Sequence, residues 1–578
     1  MTPVEINSVL KTLKSEDIAG IEFKHGTYTR SKFNDRSDMV TVKEIIHTKD
    51  GRKLPRLRQW KDYKRPFWIT RKNYRNHQGK KEWEYLDKLE RFESTQCQLS
   101  KSIVNALGYG RENDPVRMLA QSPYLYGCDI TTPTLLKAGY QHKWPGLFTP
   151  NTVAVLDTET DVVHGDGTDI ILLTVTFKDK AFVAVRRDWA QGIANFTDEV
   201  RKSLDTNLGD IIRERGINFE IVIHDDAGEM VFEAMKRLHQ WQPDFVAFWN
   251  MDFDMQCMLK ALQRHGYDLS EVFSDPRVPP EYRYFNYRPG KKTKEKADGT
   301  IENLANYDRW HVVDAPASFQ FIDGMCVYRQ IRRAKGKEPS YGLDYTLTKH
   351  LERGKLYFST GDSTAQPSSI EWHMQMQRDF KIAYTVYNVF DCIGVELLDE
   401  KTRDLQTQIS ILSGFSEYSV FHSNPKRAAD QLHFFCLNIG KVAGCVSNNM
   451  VDDNDKHLLG TEEWIVTLPT HLVAANGLYL IEELPEVRSL VRMYVSDADI
   501  TSTYPNGEII MNLSKETTML ELARIRGITA SRQRLVGINL TGGPANAIEI
   551  MTEVLKAPPP QDMLNAFKRH LEERDRAA

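Results

Sequence analysis

The stretch from residue 151 to 250 constrains the fold most, because it reads as strands covered on both faces. "TVAVLDTET", "DIILLTVTF" and "AFVAVRRDW" are apolar runs of strand length. Runs that stay apolar at consecutive positions belong in sheets packed on two sides. The short turn Lys178-Asp179-Lys180 joins the second run to the third, which predicts a meander. "FEIVIHDD" reads as a further strand and leads into "AGEMVFEAMKRLHQWQ", where Met230, Phe232, Met235 and Leu238 mark an amphipathic helix. Pro243 stops that helix and "DFVAFWN" opens another strand.

Bulk properties bound the class. At 578 residues the chain is too long for one core and suggests roughly three or four domains. No apolar run reaches the ~18–20 residues of a membrane span, and "MTPVEINSVLKTLKSEDIAG" lacks the apolar centre of a signal peptide. A cytoplasmic protein is expected. Seven cysteines without a CxxC pair read as reduced, mostly buried thiols rather than zinc ligands or disulfides. The net charge of −4 excludes a uniformly basic nucleic-acid binder but leaves room for basic patches. Residues 52–81 form one: twelve Lys/Arg stand against the single acid Asp62, with Trp60, Tyr63, Phe67, Trp68 and Tyr74 interleaved. Cations neutralise phosphates and rings stack on bases, so the mixture suits single-stranded nucleic acid. A solvated loop with a few core aromatics is the alternative.

Three strands followed by strand–helix–strand is the order of an RNase H-like sheet, so the expected class is α/β. Between about 268 and 308 the periodicity fails, and "YRPGKKTKEKADGT" predicts a protruding basic hairpin or loop. Residues 371–400 read as one long helix with room for a break, and a helix-rich stretch surrounds "NPKRAADQLHFFCLNIGKV". A last strand is expected near Val491–Ile500. No repeat and no low-complexity tract is present.

Acids recur at the ends of these elements. Asp157 and Glu159 lie two apart at a strand end, so their carboxylates leave one face. Asp254 follows a second strand, with Asp252 as its rival, and the pairing "FD" favours Asp254. Tyr387 and Asp391 are four apart on the predicted helix and share a face. Singly, an acid at a strand end is more often a cap or a turn residue. Together, four carboxylates on one sheet edge repel one another unless divalent cations sit between them. Oxygen ligands of this kind suit Mg²⁺ or Mn²⁺, and two such ions about 4 Å apart would clamp both oxygens of a phosphodiester displacement. A neighbouring tyrosine hydroxyl could orient the attacking water.

"DTET", "NMDFD" and "YNVFD" resemble, in order, the three exonuclease motifs of family B DNA polymerases, and are most similar to those of T-even-type bacteriophages. The resemblance implies a DEDD 3′–5′ proofreading exonuclease with two Mg²⁺ or Mn²⁺ ions on Asp157, Glu159, Asp254 and Asp391. Tyr387 would orient water, and Asn250 and Phe253 would bind substrate. The spacing of Asn250 and Asp254 is one residue shorter than in T-even-type enzymes and matches the protein-primed members. The basic loop at 288–296 lies where the family carries a strand-passing hairpin.

The resemblance continues with "AANGLYL" around Gly477, similar to the motif linking exonuclease and palm, and "DITSTYP" from Asp499 to Pro505, similar to the first polymerase motif. It implies a metal-binding Asp499 and a sugar-sensing Tyr504, although Thr503 stands where leucine is usual. The domains expected are 1–150 (N-terminal), 151–404 (exonuclease), 405–470 (a helical segment completing the N-terminal domain) and 471–578 (partial palm). No K-x-x-x-N-S-x-Y-G or D-T-D motif follows Asp499. The expectation is therefore the N-terminal subunit or a fragment of a viral polymerase, acting in the host cytoplasm on single-stranded DNA and primer-template; a natural division into two chains, a truncated clone and an interrupted gene all give this sequence. A second chain would bring fingers, remaining palm and thumb; by the same resemblance a sliding clamp and a single-strand-binding protein are further partners, and a membrane is not. A stand-alone exonuclease with a vestigial palm, and a non-catalytic DNA-binding scaffold, are the competing readings; a scaffold has no need of four mutually repelling acids. Mixing this chain with the cognate C-terminal polypeptide is expected to restore primer extension. No extension, together with no complex by sedimentation, rejects the divided polymerase.

Overall fold

The computed structural model describes residues 9–445, apart from 11, 166, 296–299 and 360–365. Its centre is a mixed α/β assembly. The elements run β1 (Val153–Thr160), β2 (Ile170–Phe177), β3 (Lys180–Arg186), α1 (Phe196–Arg215), β4 (Asn218–His224), α2 (Ala227–Trp241), β5 (Phe245–Phe248), α3 (Met251–Arg264), β6 (Gln320–Asp323), α4 (Leu343–Leu351), α5 (Ile370–Asp379) and α6 (Lys381–Thr402). The strands form one sheet in the order β4-β3-β2-β1-β5-β6. β1–β2 and β2–β3 are antiparallel, while β3–β4, β1–β5 and β5–β6 are parallel.

Helices cover both faces, which is why the strands read as unbroken apolar runs. Val153 and Val155 of β1 pack with residues of α1, α4 and α6. Ala154 and Leu156, pointing the other way, pack with α2 and α3. Continuing the alternation sends Asp157 and Glu159 toward the α6 side and Thr158 toward the α3 side. In α2 the inward residues are Met230, Val231, Ala234, Met235 and Leu238. Phe232 departs from the sequence reading: it is exposed and stacks on Tyr267. The long helix expected over 371–400 is two helices, because Phe380 leaves helical geometry (φ −128°, ψ 40°). That break lets α5 and α6 approach the sheet edge separately. The basic loop is a hairpin of Thr293–Glu295 with Ile301–Asn303, all exposed.

Toward the N-terminus, Ile18–Arg30, Asp38–Thr48 and Lys53–Lys61 form an antiparallel meander, and Leu89–Ser94, Arg65–Thr70 and Leu125–Tyr126 form a second small sheet. The aromatics interleaved with basic residues in 52–81 are mostly spent on packing. Phe67 and Trp68 are buried, Trp60 donates its indole N–H to Tyr140 Oη at 3.2 Å, and Tyr63 meets Trp60 edge-on. Of the five, Tyr74 alone counts as exposed. Phe67 and Trp68 therefore follow the core alternative, while Trp60 and Tyr63 are only partly covered.

Lys441–Ala443 pairs with Trp83–Tyr85, and Cys445 Sγ lies 3.2 Å from Cys128 Sγ. All seven cysteines are free thiols. Among the described residues no helix is long and apolar enough to cross a membrane.

One buried cation ties the N-terminal meander to the central sheet. Lys43 Nζ donates to the carbonyls of Gln242 and Pro243, both at 2.7 Å, and pairs with Asp244 at 2.8 Å. Asp244 in turn accepts from the Thr152 N–H and hydroxyl, so it pins the turn before β5 to the start of β1. Burial pulls the Lys43 ammonium down; burial pushes the Asp244 carboxyl up, but Lys43, Lys24 and the hydrogen bonds from Lys43 and Thr152 together outweigh it and the net shift is down. Removing one partner of such a pair strands a buried charge. Lys43→Met is expected to cost about 3 kcal/mol, read as a lowered denaturant midpoint, and Lys43→Met with Asp244→Leu should recover part of the loss.

Candidate metal centre

The central sheet presents its functional groups at the C-terminal ends of β1 and β5, the edge where open α/β sheets carry their sites. From β1, Asp157 and Glu159 reach the same side by strand alternation. From α6, Asp391 meets them. One carboxylate oxygen from each of the three lies within 4.8 Å of the others. Like charges about 4–5 Å apart repel by about 3–4 kcal/mol per pair at an effective dielectric near 20. Burial adds to that repulsion by weakening solvation.

The proton affinities follow. Burial, then Asp254, Asp391 and Glu159, pushes the Asp157 carboxyl well up. Burial is also the main cause for Glu159, pushed up to about 8 against an opposing hydrogen bond from Tyr384. Asp391 is raised by burial and drawn part of the way back by Lys355. Lys355 stands in the loop between α4 and α5. Its Nζ donates to Asp391 Oδ2 at 2.5 Å and to Tyr387 Oη at 2.6 Å. Burial pulls Lys355 down, but Asp391, Asp157 and Glu159 outweigh it and hold the ammonium charged.

Asp254 is beside the cluster rather than in it. It sits in the first turn of α3, and its Oδ1 accepts from the Thr158 N–H at 3.1 Å and the Thr158 hydroxyl at 2.6 Å. Thr158 is the residue of β1 that alternation turns toward α3, so the sheet's own geometry sets this contact. Asp254 still acts on Asp157 electrostatically, and its own carboxyl is pushed up to about 7 by burial. Its rival Asp252 points elsewhere: it accepts from Tyr287 Oη at 2.5 Å and from Gln256, at the base of the basic hairpin.

Other candidates surround the acids. Tyr387, one turn before Asp391, is buried, with its hydroxyl on Lys355. Asn250 and the exposed Phe253 line a cavity of about 320 Å³ at the start of α3 with Gln256, Lys260 and Arg309, and none of the clustered acids lines it. Gly477, Asp499 and Tyr504 lie outside the described residues.

Four residues of the site escaped the sequence reading. Asn388 Nδ2 donates to Asp157 Oδ2 at 2.7 Å while its Oδ1 accepts from the Thr174 hydroxyl. Tyr384 donates to Glu159 Oε2, and His373 of α5 contacts Tyr384 Oη at 2.7 Å. Lys355 is the fourth. Tyr384 and Asn388 share the helix face of Tyr387 and Asp391, so helical spacing carried a signal for them. Lys355 sits in a loop without periodicity and carried none.

The donors suit a hard divalent cation: carboxylate oxygens predominate, and Asp391 Oδ1 is buried without a hydrogen-bond partner. No protein-family model matches the chain, and no curated protein matches it.

The raised carboxyls have a consequence for stability. Glu159 titrates at about 4.3 in an unfolded chain and at about 8 in the fold. Its contribution is fully present below the unfolded value and is lost as pH rises through the folded one. In chelator-treated protein the thermal midpoint is expected to fall between about pH 5 and pH 8, more steeply than in Glu159→Gln. Mg²⁺ should flatten the dependence, because bound cation takes the place of the protons.

Proposed function

We propose that residues 151–404 form an RNase H-like 3′–5′ exonuclease of the family B DNA polymerase type, hydrolysing DNA phosphodiesters with two Mg²⁺ or Mn²⁺ ions. The observation that carries the reading is the convergence of Asp157, Glu159 and Asp391 within 4.8 Å at the sheet edge, the first two half-buried and Asp391 buried. Four acids come from three separate stretches of the chain, and three of them share one point. The strand order and the parallel pairing of β1 with β5 support the RNase H-like assignment.

Bound at the acids, divalent cations would polarise the phosphoryl group and lower the pKa of a water. Asp157, Glu159 and Asp391 would hold them, with Asp254 supplying further negative charge from α3. Tyr387 Oη, which accepts from Lys355, would orient the attacking water. The cavity at the start of α3 carries an exposed ring, Phe253, and the cations Lys260 and Arg309. That combination fits a frayed single strand, with a base against the ring and phosphates near the cations. Nucleotidyl transfer through Asp499 and Tyr504 is a separate proposal carried by the sequence motif alone.

The test is a time course on 5′-labelled single-stranded DNA with Mg²⁺. The wild-type chain is expected to give a ladder shortening from the 3′ end, and chelation should stop it. Asp157→Ala with Glu159→Ala should reduce degradation to background while DNA binding survives. Degradation that persists in the double variant would place the chemistry elsewhere.

A further inference from the structure

Glu159 differs from its neighbours in how it is held. Asp391 is anchored by an ammonium and Asp157 by an amide. Glu159 Oε2 accepts from a tyrosine hydroxyl, that of Tyr384. The same Oη meets His373 Nδ1 at 2.7 Å and Gln377 Nε2 at 3.3 Å. A hydroxyl has one proton and two lone pairs, so these contacts use all of it. When the Tyr384 hydroxyl donates its proton to Glu159, His373 and Gln377 must both donate to its oxygen, which fixes the Nδ1–H tautomer of His373.

The clasp is built from sequence spacing. His373 and Gln377 are four apart on α5 and share a face. Gln377 also donates to the Thr160 carbonyl at 2.8 Å and accepts from the Val162 N–H at 3.1 Å, so α5 is stapled to the end of β1 that carries Glu159. The Tyr384 ring is fully buried, lies parallel to Tyr387 with centroids 5.7 Å apart, and is flanked by Trp372 and Trp189. It has no room to swing. The carboxylate it holds is otherwise soft, since the last torsion of a glutamate is broad.

We propose that Tyr384, clasped by His373 and Gln377, is a positioning residue that fixes the Glu159 carboxylate for a divalent cation. The proposal rests on the metal-dependent nuclease reading above and adds to it a hydroxyl relay running from α5 to the metal ligand. Outer partners of this kind change metal affinity when removed, because the ligand must then be ordered at the moment of binding.

Tyr384→Phe removes the hydroxyl and keeps the ring. Mn²⁺ binding is followed by the loss of the free-ion electron paramagnetic resonance signal, and hydrolysis is followed against Mg²⁺ concentration. The half-saturating concentrations of both ions are expected to rise about tenfold. The KM for single-stranded DNA should move far less than either metal constant, while the thermal midpoint should fall, because Glu159, His373 and Gln377 each lose a buried partner. His373→Ala, on a half-buried residue, should shift both ions in the same direction by less, and His373→Gln, which keeps a donor, should restore much of the affinity. Unchanged metal affinity in Tyr384→Phe, beside a wild type that binds Mn²⁺ and degrades DNA, overturns the relay and leaves the nuclease standing. A wild type that does neither overturns both.

Discussion

Mutual repulsion among buried carboxylates is the constraint around which the centre of this molecule is arranged. Three acids within 4.8 Å of one another, with a fourth close enough to act on them, are unfavourable in any fold unless positive charge or protons accompany them. Lys355 supplies part of that charge from a loop, and the raised carboxyl affinities supply protons for the rest. Natural folds tolerate such strain where it serves function. The remaining polar contacts then read as responses to it. Asn388 holds Asp157, Tyr384 holds Glu159, and Thr158 takes one oxygen of Asp254 out of the competition.

Each of those contacts comes from a different part of the chain, and the sheet is what makes them meet. β1 is central, with an antiparallel neighbour on one side and a parallel one on the other. Its alternation sends acids to one face and Thr158 to the other, so α3 and α6 reach the same strand end from opposite sides. The break at Phe380 matters for the same reason. A single unbroken helix could not bring His373 and Tyr384 together, because eleven residues on a straight helix stand about 16 Å apart along its axis.

Much of this was legible in the sequence where burial imposes a period. The strands showed as apolar runs because both faces of the sheet are covered. Asp157 and Glu159 followed from strand alternation, and Tyr387 with Asp391 from helical spacing. What was not legible had no period to betray it. Lys355 comes from a loop, and its role depends on which acids the fold carries to it. Gly20 and Trp144 show the same limit on the packing side: they meet across more than a hundred residues with nothing local to mark the contact. In the basic-aromatic stretch at 52–81 the sequence could not tell which rings are buried. A ring flanked by cations looks the same in sequence whether it faces solvent or, like Phe67 and Trp68, fills a core.

The pairing of Lys441–Ala443 with Trp83–Tyr85 has an implication for how the molecule comes into being. A ribosome adds residues from one end at roughly 5–20 per second. The edge near Trp83 therefore waits for some tens of seconds before the strand that completes it is even made. During that interval the central sheet, whose strands and helices are all synthesised in between, is free to assemble first. The amino-terminal portion, although translated earliest, is completed only after every strand and helix of the central sheet has been made.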